Sequence, residues 1–260
     1  MKIQPTAMIS RQYLVDMRLK SEGVDSFEKF PFSLPAVRPL RKKTLEFHPA
    51  VTFFVGENGS GKSTLLEAIA VACGFNAEGG SRNFRFGTRD SHSELHRFLS
   101  IARGIQRPRD GFFLRAESFF NVATEIEKLD SEPGAGPPIG PSYGERALHE
   151  QSHGESFLAL LVNRFHGHGL YLLDEPEAAL SPSRQLAVIT RIHDLVQENS
   201  QFIIATHSPI IMAYPEAWIY VLGDAGPARV PYEETEHFKV SLAFLSNPRK
   251  MVNLLLADDE

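Results

Sequence analysis

The sequence has one cysteine and no long uninterrupted run of apolar residues. Cys73, alone among 260 residues, excludes an intramolecular disulfide framework and fits a reducing cytosol. No segment approaches the roughly 18 consecutive apolar residues of a membrane-spanning helix, and the N-terminal residues lack the apolar core of a signal peptide. We therefore expect a cytoplasmic protein without direct membrane insertion.

Excess positive charge is also lacking. The chain carries 27 basic and 32 acidic side chains, a net charge of -5, which argues against an overall electrostatic footprint for nucleic acid or an anionic membrane. Residues 81–110 are nevertheless rich in arginine, and this local cluster is compatible with a phosphate-contacting surface or, equally, with a solvated insertion. Its members are Arg82, Arg85, Arg89, Arg97, Arg103, Arg107 and Arg109.

Short apolar runs alternate with helical patterns along most of the chain. Val51 to Val55 is a β-branched and aromatic run that ends at a glycine, as in a buried parallel strand. Four later runs have the same character: Phe112 to Leu114, Leu170 to Leu173, Phe202 to Ala205 and Trp218 to Leu222. Helical spacing of apolar residues, with proline after an asparagine cap in the last case, predicts helices at Ser63 to Cys73, Phe157 to Phe165, Leu186 to Val196 and Asn247 to Leu256. The sequence thus predicts an α/β fold with a mainly parallel central sheet flanked by helices.

The remaining segments suggest how one domain, residues 1–260, is organised. Apolar and polar residues alternate in two places within residues 1–50, which predicts an N-terminal antiparallel β portion. We expect residues 75–150 to form a small helical and loop insertion or lid. Within it, residues 131–144 contain four prolines and four glycines, which predicts a flexible surface loop. Residues 151–260 then form the second half of the domain.

A phosphate-binding pattern follows the first buried strand. Residues 56–63 read GENGSGKS, which matches G-x-x-x-x-G-K-[ST] between a predicted strand and a predicted helix. Backbone N–H groups of such a loop and the positive end of the helix dipole suit phosphate oxygens, whereas the alternative is a glycine-rich turn that binds nothing. Lys62 is expected to reach the β- and γ-phosphates, and the Ser63 hydroxyl to ligate Mg²⁺. The predicted nucleotide contacts are Glu57, Asn58, Gly59, Ser60, Gly61, Lys62, Ser63 and Thr64.

Two adjacent carboxylates end a second buried run. Asp174 and Glu175 follow Leu170 to Leu173 and precede Pro176, which stops the strand. We expect this strand to lie beside the first one, with Asp174 at the ligand. Asp174 is suited to hold Mg²⁺ directly or through water, and Glu175 to polarise the attacking water. The alternative for Glu175 is a structural role at a helix N-terminus.

These motifs, together with residues 151–155, QSHGE, resemble the ATP-binding-cassette (ABC) ATPases. The segment is similar to that family's signature motif, L-S-G-G-Q or L-S-G-G-E, with Gln151 and His153 in place of leucine and the first glycine. The resemblance implies that Ser152 and Gly154 contact the γ-phosphate bound by the other protomer of a head-to-tail dimer. Without it, Ser152 and Glu155 also fit an ordinary capping box at a helix start.

Further elements of the family occur in the family's order. Residues 177–181, EAALS, resemble the D-loop, with Ser181 where aspartate is frequent. His207, after the apolar run at 202–205, resembles the switch histidine that hydrogen-bonds the γ-phosphate and the attacking water. Glu117 stands where the Q-loop has glutamine; it either acts through the Mg²⁺ shell or, like Arg115, pairs with neighbours at the surface. Phe30, Phe32 and Arg38 are the candidates for adenine contacts.

The resemblance implies an ATPase with ATP and Mg²⁺ as cofactors and an ABC-type P-loop fold. Residues 56–69, GENGSGKSTLLEAI, are most similar to the non-transport branch that includes RecF, SMC proteins and small stand-alone AAA-type ATPases. This branch implies a homodimer formed on ATP binding that acts as a switch or clamp, with DNA or an effector protein as partner, in DNA maintenance or defence against foreign DNA. The alternatives are the nucleotide-binding subunit of an ABC transporter, and a P-loop kinase or ATP-sensing module.

Overall fold

The computed structural model describes residues 12–82, 93–116, 124 and 152–257, which form two sheets and the helices packed on them. The strands are β1 (Leu14–Leu19), β2 (Leu45–Glu46), β3 (Val51–Val55), β4 (Leu99–Arg103), β5 (Asp110–Arg115), β6 (Gly169–Asp174), β7 (Gln201–Ala205), β8 (Trp218–Val221) and β9 (Ala228–Val230). The α-helices are α1 (Lys62–Ala72), α2 (Leu95–Phe98), α3 (His153–Asn163), α4 (Pro182–Gln197), α5 (Pro209–Met212), α6 (Glu236–Ser246) and α7 (Pro248–Leu256). Short 3-10 helices span Arg38–Arg41, Pro176–Ala179 and Tyr232–Glu234.

The central sheet is mainly parallel, which confirms the expected fold class. Its strand order is β5-β6-β7-β3-β8-β9, and only β9 pairs in the antiparallel direction. Every residue of β3, β6 and β7 is buried, as their unbroken apolar sequences predict for strands covered on both faces. The parallel arrangement brings the carboxyl ends of these strands to one edge, where a ligand of an open α/β sheet binds.

Two hydrophobic clusters cover the two faces of this sheet. On one face, Phe54 packs with Leu65 and Ile69 of α1 and with the N-terminal β portion. On the other face, Phe53 packs with residues of α3 and α4, such as Leu160 and Ile192. Adjacent residues of β3 thus point into opposite clusters, as the period of two in a strand requires. The strand that leads into the glycine loop is therefore packed on both of its faces.

The strand order corrects one sequence-based prediction. The strand ending in Asp174 was expected beside the first strand, but β7 lies between β6 and β3. In the observed register, Val51 of β3 pairs with Phe202 of β7, and Asp174 of β6 pairs with Ala205 of β7. The prediction was wrong because an unbroken apolar run records burial on both faces but not the identity of the neighbouring strands.

The second sheet is antiparallel, with strand order β2-β1-β4. It contains the expected N-terminal strands and also β4, whose Leu99–Arg103 lies within the 75–150 segment, as does β5 of the central sheet. Residues 131–144, the predicted flexible loop, lie outside the described residues. The antiparallel sheet therefore draws on chain segments from both sides of the glycine loop.

A single buried glutamine joins the two sheets. Gln201, at the first position of β7, is fully buried. Its side-chain oxygen accepts hydrogen bonds from the backbone N–H groups of Tyr13 (3.0 Å) and Leu14 (2.8 Å). Its amide nitrogen donates to the carbonyl oxygens of Leu14 and His48, both at 2.9 Å. These four bonds satisfy backbone groups that no strand pairing reaches.

We predict that Gln201→Ala lowers the free energy of unfolding by about 3 kcal/mol, because it leaves several buried backbone groups without partners. Urea unfolding followed by circular dichroism measures the difference. Gln197→Ala, at an exposed position at the end of α4, is the matched control and should change stability by less than about 0.5 kcal/mol. Equal effects of the two substitutions would show that the link between the sheets contributes little.

Candidate active site

The glycine loop between β3 and α1 has a backbone that glycine alone adopts readily. Gly56, Gly59 and Gly61 have φ values of 148°, 82° and 93°, in the region that L-residues with a side chain rarely occupy. Gly61 is the N-cap of α1, so the first turn of that helix points its N–H groups into the loop. The Ser60 hydroxyl is buried and has no hydrogen-bond partner among the described residues. A buried, unsatisfied hydroxyl in a glycine cradle fits a loop that awaits an acceptor such as a phosphate oxygen.

Around this loop, the predicted contact residues differ in exposure. Glu57, Asn58 and Gly59 are exposed, Lys62 is buried, and Gly61, Ser63 and Thr64 are partly buried. Residues 34–36 lie against the back of the loop: a Cβ at Gly61 would come within 3.1 Å of the Leu34 side chain. The loop therefore presents one open side to solvent.

Lys62 lies inside the loop and faces the acidic residues. Its Nζ donates hydrogen bonds of 2.9 Å to the carbonyl oxygens of Gly56 and Glu57. Burial lowers the pKa of Lys62, while the negative charges of Glu175, Asp174 and Glu177 act in the opposite direction. An ammonium group has three donors, so the third N–H is available to a phosphate oxygen.

Asp174 joins the end of β6 to the glycine loop. Its Oδ1 accepts a hydrogen bond of 2.9 Å from the Ser63 hydroxyl, and its Oδ2 lies 3.7 Å from Nε of Arg115. Arg115 in turn pairs with Glu67 of α1 at 2.7 Å. Arg115 and Glu67 are largely buried, so the sequence-based alternative of a surface pair was wrong for Arg115. The register of β5 and β6, which sets Arg115 opposite Asp174, explains the contact.

Ser63 and Asp174 suit a Mg²⁺ ion. Both supply hard oxygen ligands, and Mg²⁺ usually takes only one or two protein ligands beside waters and substrate phosphates. Consistent with this, the described residues contain no group of three or more His, Cys, Asp or Glu side chains that could form an all-protein cage. The predicted ligand Glu117 lies outside the described residues.

Glu175 and His207 meet at the same edge of the sheet. Glu175 has a left-handed backbone conformation, with φ 51° and ψ 53°, and its N–H donates to Ala205 O at 2.9 Å. Such a conformation is uncommon in a residue with a side chain and occurs often at functional sites. The Oε1 atom of Glu175 lies 3.6 Å from Nε2 of His207. That nitrogen is buried and has no hydrogen-bond partner among the described residues.

Glu177 holds the backbone of His207 in place, a contact that the sequence did not reveal. Its carboxylate accepts hydrogen bonds from the Thr206 hydroxyl (2.7 Å) and from the backbone N–H of His207 (2.5 Å). On the other side of the imidazole, Nδ1 of His207 lies 3.2 Å from Nε2 of His237. Burial lowers the pKa of His237, and the neighbouring His207 acts in the same direction, which favours a neutral ring. The D-loop-like motif contains Glu177 but does not indicate its contact with His207, and no motif marks His237, because both contacts depend on the tertiary fold.

The residues that resemble the signature motif lie at the start of α3. The capping box is present: the Ser152 side chain accepts from the backbone of Glu155, and Glu155 accepts from the Ser152 N–H at 3.0 Å. Arg184 of α4 pairs with Glu155 at 3.3 Å. Gly154 is buried against the D-loop-like segment, where a Cβ would lie 2.7 Å from Ala179 O. Gln151 lies outside the described residues.

The three adenine candidates differ in what their surroundings allow. Phe32 is 4% exposed and packs edge to face against Phe27 and Phe98, so it cannot stack on a base, and this candidate was wrong. Phe30 is 66% exposed, and Arg38 forms an exposed pair with Glu28 at 3.3 Å. Sequence alone does not separate Phe30 from Phe32, since both flank Pro31 in an irregular segment.

Two family models match the parts of the chain that build this site. One, described as "AAA domain", covers residues 32–118, which contain the glycine loop. The other, described as "AAA domain, putative AbiEii toxin, Type IV TA system", covers residues 140–213, which contain Asp174, Glu175 and His207. Both halves of the site are thus similar to AAA domains.

Comparisons of sequence and fold extend this likeness. The "ABC transporter G family member STR2" of Medicago truncatula is 28% identical over 172 aligned positions, which cover 61% of this chain and 24% of that protein. This chain therefore spans about a quarter of the length of the curated relative. Among solved structures, a putative metal-chelate type ABC transporter in an inward-facing conformation aligns with a TM-score of 0.51 and 15% identity, covering 89% of each chain. The cbiO1 protein of Clostridium perfringens, part of the ABC transporter complex cbiONQ, aligns with a TM-score of 0.50 and 15% identity over 94% of this chain and 100% of that one. These two alignments concern the fold alone.

We predict that Gly56→Ala destabilises the glycine loop. A Cβ at Gly56 would lie 2.6 Å from the carbonyl oxygen of Leu222, and the φ of 148° disfavours any L side chain. We expect the free energy of unfolding to fall by about 2 kcal/mol. Gly223→Ala is the matched control, since a Cβ there has no heavy atom within 4 Å, and it should leave the unfolding midpoint in urea unchanged. An unchanged midpoint for Gly56→Ala would contradict the prediction.

Proposed function

We propose that this chain, which has the fold of ABC-type P-loop ATPases and segments similar to AAA domains, binds and hydrolyses ATP as a head-to-tail homodimer that acts as a nucleotide-driven switch or clamp. The observation that carries the proposal is the 2.9 Å hydrogen bond from the Ser63 hydroxyl to Asp174. It joins the phosphate-binding loop to the acidic end of β6, as a shared Mg²⁺ and triphosphate site requires. The partner molecule and the biological role are also proposals.

Each residue at this edge has a distinct role in the proposed reaction. The loop N–H groups and the third N–H of Lys62 bind phosphate oxygens, and Ser63 and Asp174 hold Mg²⁺. A Mg²⁺ ion held there would neutralise charge on the phosphates. Glu175 accepts a proton from the attacking water, and Nε2–H of His207 donates to a γ-phosphate oxygen. The 3.6 Å separation of Glu175 and His207 leaves both groups facing one position.

The dimer follows from the start of α3. The N-terminus of this eleven-residue helix is suited to an anion through its N–H groups and its dipole. Ser152 is exposed there, and Gly154 lets the start of α3 pack closely against Ala179 and Arg184 of the same chain. We propose that Ser152 and Gly154 contact the γ-phosphate bound by the other protomer. Two nucleotides then lie between the subunits, and hydrolysis opens the pair.

The alternative role is the ATPase subunit of a transporter, which the name of the Medicago truncatula relative favours. Within the described residues, no helix has the length and apolar character needed to cross a membrane. The third possibility is a P-loop kinase or a non-hydrolysing ATP sensor. The 3.6 Å distance between Glu175 and His207 supports hydrolysis instead, because a carboxylate and an imidazole close together suit the activation of a water.

A cavity lined by arginine side chains favours a nucleic acid as the partner. Arg82, Arg103 and Arg107 line a cavity of about 140 Å³, and among the described residues no acidic side chain lines it. Arg103 is held by a 2.9 Å hydrogen bond to Ala72 O, and Arg82 lies over the Phe75 ring at 5.1 Å. Three guanidinium groups around one cavity repel each other, and a phosphate of a nucleic-acid backbone would relieve this repulsion. Arg97 and Arg109, also described, do not line the cavity, while Arg85 and Arg89 lie outside the described residues.

We predict that Glu175→Gln keeps ATP affinity within about threefold of the unchanged protein but lowers turnover by at least about a hundredfold, because the amide cannot accept the water's proton. The stalled protein should accumulate as a dimer with ATP, which size-exclusion chromatography with light scattering measures. Lys62→Ala is the control: it loses the charge-assisted phosphate contacts, so calorimetry should show weak ATP binding and no dimer. A Glu175→Gln protein that remains monomeric with ATP bound would overturn the dimeric switch.

We predict that Arg107→Glu weakens binding of double-stranded DNA and reduces the slope of log affinity against log salt by about one, the value for a single phosphate contact. Fluorescence anisotropy at several salt concentrations measures both quantities. Arg249→Glu makes the same charge change at an exposed position of α7 and should leave the slope unaltered. If the two variants had the same DNA affinity and the same salt slope, the cavity would not contribute to DNA binding.

A further inference from the structure

Helix α6 reaches the proposed catalytic edge through one side chain. His237, the second residue of α6, places Nε2 3.2 Å from Nδ1 of His207. The two rings are 5.4 Å apart between centroids and inclined by 49°, which suits an edge-on hydrogen bond better than stacking. None of the residues of α6 is buried, so this contact is not a by-product of core packing.

The start of α6 is anchored close to His207. The N-cap residue Thr235, which is 1% exposed, accepts from the Phe238 N–H at 3.3 Å and donates to Tyr232 O at 2.7 Å. The Tyr232 hydroxyl donates to the carbonyl oxygen of Pro209 at 2.7 Å, two residues beyond His207. These hydrogen bonds connect the segment after His207, through Tyr232, to the start of α6, where His237 lies. They fix the distance between the imidazole rings of His207 and His237.

The hydrogen bond determines which nitrogen of His207 carries the proton. In a neutral imidazole, one nitrogen donates and the other accepts. If Nε2–H of His237 donates to Nδ1 of His207, the proton of His207 must reside on Nε2, the nitrogen that lies 3.6 Å from Glu175. A proton on Nδ1 instead would leave an acceptor facing the carboxylate and the phosphate, where two negative groups would repel its lone pair.

We propose that His237 is a positioning residue for hydrolysis: its Nε2–H holds His207 in the tautomer and orientation that present Nε2–H to the γ-phosphate. This inference rests on the proposed ATPase function, in which His207 acts at the phosphate. Outer partners that orient a functional histidine affect activity about tenfold to a hundredfold when they are removed. In this proposal, His237 acts on hydrolysis through His207.

The test compares His237→Phe with His237→Gln. Phenylalanine keeps the size of the ring without a donor, whereas the Gln side-chain amide places an N–H close to the position of the lost Nε2. We expect His237→Phe to lower kcat about tenfold to a hundredfold with the ATP dissociation constant changed by less than about threefold, and His237→Gln to stay within about threefold of the unchanged protein. Thermal melting verifies that both variants are folded.

A double substitution separates this inference from the proposed function. His207→Ala should be as slow as His207→Ala with His237→Phe, because residues that act through one another are not additive. If His207→Ala is inactive but His237→Phe turns over normally, the role of His237 is overturned and the ATPase proposal stands. If His207→Ala retains full activity, the proposed function of His207 itself is wrong.

A spectroscopic measurement keeps the inference testable if His237→Phe does not fold. Nitrogen-15 chemical shifts of the imidazoles in the unchanged protein report the tautomer directly. We expect His207 to carry its proton on Nε2 and to lose this preference in His237→Ala but not in His237→Gln. A His207 ring protonated on Nδ1 in the unchanged protein would overturn the inference.

Discussion

A buried carboxylate at the end of β6 is the constraint on which the arrangement of this site depends. Asp174 is 6% exposed, and a charge in that position is costly unless donors and opposite charges surround it. Ser63 supplies a hydroxyl donor, and Arg115 supplies a guanidinium 3.7 Å away that Glu67 of α1 holds in place. The groups that compensate the charge of Asp174 thus connect β6 to β5, to the glycine loop and to α1. The same contacts bring the two proposed Mg²⁺ ligands together.

Much of the fold could be predicted because its signals are local. The apolar runs that became β3, β6 and β7 are buried on both faces, and Asn247 caps the last helix through its side chain as expected. The predicted helix at 186–196 begins four residues earlier, at Pro182, since its first turn is polar and carries no apolar period. Strand order escaped prediction, because β7 inserts between β6 and β3 through long-range pairing that no single run encodes.

The residues of the site also differ in whether a local sequence pattern predicts them. The glycine loop and the pair Asp174 and Glu175 follow from sequence, since each is a contiguous pattern with a chemical reason. The supports of these residues do not. Glu177, Arg115 and His237 reach their partners only after β5, β7 and α6 have assembled, and no spacing along the chain indicates these meetings. The tertiary fold, rather than the motif, orients the groups that the motif supplies.

Gly154 gives the protein a mechanical link between two surfaces that would face a second subunit. Without a side chain, the start of α3 lies directly on the Ala179 carbonyl, in the turn that follows Glu175. Close packing of this kind transmits a displacement of one segment to the other. A displacement of the α3 N-terminus would therefore be transmitted through the Pro176–Ala179 turn to the backbone of Glu175. In the proposed dimer, this contact connects the γ-phosphate of the neighbouring subunit's nucleotide to the carboxylate that we propose activates water.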